Sequence, residues 1–107
     1  MADNRKAEGT TSGWTFLTNH MHVLLCIASD PTIRQRDVAQ QVGITERSAG
    51  AIIADLEHAG YVTKTRIGRR NEYAIARNVA LRHPLEEHHD IGELIDLLAL
   101  PSDLISA

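Results

Sequence analysis

A dense group of basic side chains is the clearest chemical feature of the sequence. Lys64, Arg66, Arg69 and Arg70 lie within seven residues, in the stretch KTRIGRR. Ammonium and guanidinium groups bind phosphate oxygens, and an Arg at a hairpin tip can enter a narrow minor groove of DNA, where the negative potential is enhanced. The alternative is a charged hairpin end that prevents strand pairing with other chains. We favour contact between DNA and at least one of Arg69 and Arg70.

The net charge of −3 conceals an uneven distribution of charged residues. Residues 34–82 hold nine Lys and Arg against five Asp and Glu, a net charge of +4. Residues 83–107 hold six acidic residues and no Lys or Arg, a net charge of −6. A basic middle joined to an acidic end indicates a protein that meets a polyanion with one face only.

Six histidines and one cysteine raise the question of a metal site. His20 and His22 are two residues apart, which on a helix directs them about 200° from each other, the wrong geometry for one ion. A better local supply of ligands lies near Pro84: His83, His88 and His89, beside Glu86, Glu87 and Asp90. No Cys pair or His-Glu-x-x-His pattern accompanies them. We therefore predict no metal and no cofactor.

The length and composition fit one small domain without catalytic motifs. A chain of 107 residues with 43% apolar content can bury a single core. It has no Gly-rich phosphate loop and no nucleophile motif, so we do not expect an enzyme. The longest apolar run, residues 23–28, is far shorter than the roughly 20 residues that span a bilayer. We expect a soluble cytoplasmic protein, with Cys26 in that run a small buried hydrophobe.

Three helices are predicted in the first 60 residues. The first follows a polar tail, residues 1–13, and carries apolar residues at spacings of three and four before Asp30-Pro31 ends it: Phe16, Leu17, Met21, Leu24, Leu25 and Ala28. Trp14 and Phe16 are expected to cover the core. The second helix, RQRDVAQQVG, ends at Gly43, and Thr45 caps a third that runs to about Ala59-Gly60.

A hairpin and a last helix are predicted beyond Gly60. YVTKTRI and EYAIA are rich in β-branched and aromatic residues, and GRRN between them is a turn. Tyr73 and Ile75 share one face of the hairpin. In DIGELIDLLAL, Asp90 is the cap and Glu93 completes a capping box. The apolar stripe of this helix, which runs until Pro101, is Ile91, Leu94, Ile95, Leu97 and Leu98.

Helix, turn, helix and a hairpin with Arg at its tip resemble the winged helix-turn-helix of bacterial transcription regulators of the MarR and ArsR types. The resemblance covers about residues 16–76 and is most specific in DVAQQVGITERSAGAIIADLEHAGYV. In the family pattern a small residue of the first helix packs against the second, here Ala39, and a Gly makes the turn, here Gly43. Apolar residues flank that turn: Val38, Val42 and Ile44. Arg34 departs from the pattern, which usually has Ser or Thr at that helix start.

The third helix carries few long side chains for a DNA-reading helix. Its buried stripe is Ala49, Ile52, Ile53 and Leu56, which directs Glu46, Arg47, Gly50, Ala51, Ala54 and Asp55 outward. Gly in a helix interior costs about 1 kcal/mol relative to Ala. Gly50 either permits close approach of the backbone to a phosphate or base edge, or is an incidental surface residue. Ala51 could touch a thymine methyl group.

These observations predict a mainly α fold with a small antiparallel β-hairpin: a winged helix-turn-helix of three helices plus a wing, with an additional C-terminal helix. We divide the chain into a disordered tail (1–13), a DNA-binding domain (14–80) and an acidic segment (81–107). The last helix is expected to pair two chains, because its stripe presents more apolar surface than so small a domain readily covers. The alternative is that this helix folds back on the first helix of its own chain.

The predicted function is a DNA-binding transcriptional regulator that occupies an operator on double-stranded DNA as a homodimer. The predicted DNA-binding residues are Thr45, Arg47, Ser48, Gly50, Ala51, Lys64, Arg66, Arg69 and Arg70. Arg47 and Ser48 are assigned to base edges, Thr45 and Lys64 to phosphates. Two alternatives stay open: a winged-helix protein-interaction module that does not bind DNA, and an effector-sensing repressor with a ligand or metal site.

Overall fold

The computed structural model of the protein describes residues 13–99. Its elements, in chain order, are helices α1 (Asn19–Ser29), α2 (Gln35–Val42) and α3 (Glu46–His58), strands β1 (Val62–Ile67) and β2 (Arg70–Ile75), and helix α4 (Ile91–Leu98). The predicted mainly α fold with one antiparallel hairpin is confirmed. The predicted tail, up to residue 12, and the chain beyond Ala99 lie outside the described residues.

Helix α1 begins later than the apolar spacing predicts. Thr18 is its N-cap, so Phe16 precedes the helix in irregular backbone. The prediction that Trp14 and Phe16 cover the core is wrong, because their exposed fractions are 74% and 92%. Their rings contact each other edge to face, with centroids 4.9 Å apart. Outside a helix the three-and-four spacing no longer turns a side chain inward, whereas Met21 and Leu24, within α1, are buried.

The turn between α2 and α3 has the predicted chemistry at both of its ends. Gly43 has a φ of 87°, a left-handed conformation that favours Gly, and its N–H donates to Ala39 O at 2.8 Å. Thr45 caps α3 by accepting a hydrogen bond from the Ser48 N–H at 3.0 Å. Arg34, at the start of α2, makes no side-chain capping bond. Ala39 and Ala49 are buried, which lets the two helices approach closely.

The turn of the hairpin is tighter than predicted. Ile67 pairs with Arg70, so the turn consists of Gly68 and Arg69 alone, and Arg70 and Asn71 belong to β2. Gly68 has a φ of 61°, as a two-residue hairpin turn requires at its first position. The outer edge of β2 is tied to the loop after α1 by a hydrogen bond from the Tyr73 N–H to Pro31 O at 2.8 Å. The wing therefore has a fixed attachment to the helical core.

Helix α4 folds back on its own chain. Ile91 and Ile95 are buried where α4 packs against α1, and Asp90 caps the helix by accepting from the Glu93 N–H at 2.9 Å. The predicted capping box is not closed as expected, because the Glu93 carboxylate contacts His89 instead. Leu97 keeps an exposed fraction of 78%. The stripe that led us to expect pairing of two chains is thus largely covered within one chain.

One core joins all the elements. Its most deeply buried side chains are Val23, Leu24, Ile27, Val38 and Val62, and no charged side chain in residues 13–99 is buried. Tyr61 and Tyr73 carry the core into the base of the hairpin, where Tyr61 Oη donates to Ala80 O at 2.6 Å. Within the described part of the chain, no helix is long and apolar enough to cross a membrane.

Candidate nucleic-acid interface

The start of α3 presents two hydroxyl groups that are bonded to each other. Thr45 Oγ1 accepts from the Ser48 N–H and donates to Ser48 Oγ at 2.9 Å. The Ser48 hydroxyl hydrogen is therefore left to donate outward. Thr45 has a structural role in the helix start whether or not it also lies near a phosphate.

The exposed face of α3 carries Arg47, Ala51 and Ala54. No side chain within residues 13–99 forms an ion pair with Arg47, so its guanidinium is available to a ligand. Asp55 on the same helix is directed away, because His20 Nε2 of α1 lies 2.8 Å from Asp55 Oδ2. The Asp55 carboxylate is thus paired with α1, and Arg47 is the long basic side chain of the exposed face.

Gly50 is half-buried rather than freely exposed, because a side chain of the neighbouring helix lies against it. The side chain of Gln35, the first residue of α2, lies across it, and Gln35 Nε2 donates to Glu46 O at 2.9 Å. A Cβ on Gly50 would lie 2.6 Å from Gln35 Nε2 and 3.1 Å from Gln35 Cδ. The missing side chain therefore makes room for a side chain of the neighbouring helix, an arrangement that the spacing within α3 does not reveal.

The four basic residues of the wing have different surroundings. Arg70 Nη1 donates to Thr32 O at 3.0 Å, which ties the wing to the loop between α1 and α2. Arg66 Nε donates to Gly68 O at 3.0 Å, and Lys64 Nζ lies 3.7 Å from Glu57 Oε1 of α3. For Arg69, at the turn itself, the structure shows no such partner within residues 13–99. Arg69 is thus the wing cation most accessible to DNA.

A cleft of about 470 Å³ opens between the wing tip and the starts of α2 and α3. Its charged lining residues are Arg34, Arg36, Arg69, Arg70 and Glu46. Four Arg residues and one Glu therefore line the cleft, next to the N-terminus of α2, where the helix dipole adds positive potential. Our sequence prediction did not include Arg34 and Arg36; their position at the start of a helix in the basic segment is the signal that could have identified them.

Comparison with known proteins identifies the type of domain that carries this surface. Residues 17–63 match the family described as winged helix-turn-helix DNA-binding. Together with the rest of the hairpin that follows it, this segment has the winged helix-turn-helix fold. The predicted resemblance to winged helix-turn-helix regulators is confirmed.

A solved structure has the same fold as the winged helix-turn-helix domain and its flanking segments. It is that of the PcaV transcriptional regulator from Streptomyces coelicolor, determined in complex with its natural ligand. The two chains are 20% identical, with a TM-score of 0.50, over 92% of this chain and 72% of that chain. At this identity the likeness concerns the fold alone. No curated protein sequence matches the chain.

Three histidines, His20, His22 and His89, lie within hydrogen-bond distance of neighbouring side chains. His22 Nδ1 lies 3.0 Å from Asn19 Oδ1, and His89 contacts Glu93. Within residues 13–99, no three His, Cys, Asp or Glu side chains come together in a way that could hold a metal ion. Burial raises the pKa of the Cys26 thiol, which keeps it protonated and is consistent with a packing role.

Proposed function

We propose that the protein is a transcriptional regulator that occupies an operator through α3 and the wing. The observation that carries this proposal is the arginine-lined cleft between the wing and the starts of α2 and α3. Its charge has the sign that phosphates require, on the face where the DNA-binding domain exposes Arg47. The acidic residues of the segment after residue 82 are elsewhere in the chain, so the basic face can approach DNA despite a net charge of −3.

Each DNA-binding residue has a distinct proposed role. Arg47, Ser48 and Ala51 contact base edges in the major groove, where Arg prefers guanine and an Ala methyl group can touch thymine. Arg34 and Arg36 join the predicted Thr45 and Lys64 near phosphates. Arg69 enters the adjacent minor groove, while Arg70, bonded to Thr32, holds the wing in position. Arg66 braces the turn through Gly68.

Selection from genomic DNA tests this function. Random duplex fragments are incubated with the protein, and the retained fragments are sequenced and footprinted. We expect the retained fragments to share a short sequence that the protein protects from cleavage. If no fragment is retained at low salt, the domain binds something other than DNA, as in the protein-interaction alternative.

We also propose that the protein acts as a homodimer. Support comes from the large apolar side chains within residues 13–99 that have exposed fractions of at least 74%, namely Trp14, Phe16, Leu85 and Leu97. A symmetric pair could place its two α3 helices in successive major grooves, about 34 Å apart. Two half-sites would also offset the small number of base-reading side chains on each α3.

Sedimentation of surface variants tests the dimer. We expect the unaltered protein to sediment as a dimer at micromolar concentration, and the double variant Phe16→Ser, Leu97→Ser to sediment as a monomer. Ile67→Ser at the wing tip, also more than half exposed, is the matched control and should stay dimeric. A monomeric unaltered protein, or a double variant that stays dimeric, contradicts the assignment of this surface.

A further inference from the structure

Gln35 is placed where a side chain of residue 50 would otherwise lie. It begins α2, yet its carboxamide reaches α3 and donates to Glu46 O at 2.9 Å. The space that a Cβ on Gly50 would need is occupied by this carboxamide, with Nε2 at 2.6 Å and Cδ at 3.1 Å. The absence of a side chain at Gly50 therefore leaves room for Gln35 to lie on the surface of α3, about one turn after the N-cap Thr45.

The carboxamide retains polar capacity after this contact. Gln carries two N–H donors and one carbonyl acceptor, and one N–H is used by Glu46 O. The second N–H and Oε1 remain, and Gln35 is exposed on the wall of the arginine-lined cleft. Position 50 is also three residues after Arg47 on α3, so the carboxamide and Arg47 lie on neighbouring parts of one surface.

We propose that Gln35 is a specificity-determining residue of the DNA-reading surface, where it contacts an adenine. Gln recognises adenine by accepting from N6 and donating to N7 in the major groove. That needs one acceptor and one donor, which are the two groups that the bond to Glu46 leaves. The inference rests on the proposed function, since it assigns a base contact on the surface that binds the operator.

The bond to Glu46 O also gives Gln35 a fixed geometry. A free Gln side chain loses rotamer freedom when it binds, whereas this one is already held by the backbone of the helix beside it. This arrangement accounts for the small number of long side chains on α3, because Gln35 of α2 supplies the polar group that the centre of α3 lacks. The interhelical contact and the base contact depend on the same absence of a Cβ at position 50.

Two single variants and their combination test the proposal on duplexes obtained by genomic selection. Gln35→Ala removes the carboxamide, and Gly50→Ala displaces it without removing it or changing charge. We expect each to lower the ratio of affinity for the preferred site over a random duplex by about tenfold, the lower part of the range for a lost bidentate base contact. The double variant should lower the ratio no further, because both changes remove one interaction.

The same measurements separate the alternatives. An equal loss on preferred and random duplexes after Gln35→Ala shows a phosphate contact and overturns the proposal. So does a Gly50→Ala variant that keeps the unaltered ratio, or a double variant whose loss is the product of the two single losses. Far-ultraviolet circular dichroism and thermal unfolding establish that each variant is folded. If the unaltered protein binds no duplex, the proposed function itself fails, a result distinct from all of these.

Discussion

Replacing Arg69 and Arg70 together by Ala is expected to weaken binding to every duplex by roughly tenfold or more near 0.15 M salt. Each lost phosphate contact makes the slope of log affinity against log salt less negative by about 0.9. At that salt, this corresponds to a roughly fivefold loss of affinity. Arg69 is exposed at the turn, and the hydrogen bond from Arg70 to Thr32 O holds the wing, and with it Arg69, in position. The loss should be similar for preferred and random duplexes, because contacts of this kind carry little direct sequence information.

Single variants divide this effect between contact and position. Arg69→Ala should make the slope of log affinity against log salt less negative by about one unit. Arg70→Ala should weaken binding with a smaller change in that slope. Arg82→Ala removes the same charge from the apolar groove beside Phe16 and Leu94 and is the matched control.

Arg47→Ala should act selectively and cost about 1 to 3 kcal/mol on the preferred site. A loss after Arg47→Ala that is equal on preferred and random duplexes would contradict base contact by this side chain.

Gly92→Ala is expected to lower the free energy of unfolding by about 1 to 3 kcal/mol, the usual cost of overpacking. Gly92 is buried at the start of α4, and its N–H donates to Arg77 O at 2.8 Å. An added Cβ would lie 2.8 Å from that same backbone oxygen and 3.0 Å from Arg77 Cβ. Because backbone cannot move aside cheaply, α4 would have to shift and expose Ile91 and Ile95.

Gly50→Ala is the matched control for stability. Its added methyl group meets only the end of the flexible Gln35 side chain. The gain in helix propensity, about 1 kcal/mol, is offset by loss of the hydrogen bond to Glu46 O, which is worth about the same. Urea unfolding of both variants measures the difference. Equal stability changes in the two would show that Arg77 and α4 adapt to the methyl group without cost.

The elements of the fold could be predicted from sequence because local chemistry determines their ends. Gly43 ends α2 in a conformation that favours Gly, and Thr45 and Asp90 cap the helices that follow them. The hairpin was recognisable from its β-branched residues and from a Gly before the basic tip. In each case a few neighbouring residues contain all the relevant information.

The arrangement of the interface could not be predicted in the same way. Gln35 meets Gly50, and Arg70 meets Thr32, although the partners in each pair are distant from each other along the chain. Such contacts depend on how α2, α3 and the wing pack together, and helical or strand periodicity says nothing about them. Arg34 and Arg36 were a different case, because the sequence already placed them in the basic segment at the start of the second helix, and only the cleft that they line with the wing was not predicted.

The folding back of α4 also depended on packing that the sequence does not display. An apolar stripe looks the same whether it faces α1 or a second chain. The features that decide the matter are Gly92, which lets α4 approach Arg77, and the hydrogen bond from the Ile91 N–H to Val79 O at 2.9 Å. Asp96 adds an ion pair to Arg77 at 2.6 Å. All three hold α4 against the segment that follows the wing.

The salt dependence of duplex binding tests the central claim, DNA binding by the arginine-lined face, most directly. Affinity for one preferred and one random duplex is measured from low to moderately high salt. If Arg34, Arg36 and Lys64 contact phosphates and Arg69 adds its charge in the minor groove, the slope of log affinity against log salt should be about −3 to −4 per chain for both duplexes. Absence of binding at low salt, or affinity that does not change with salt, would contradict the claim.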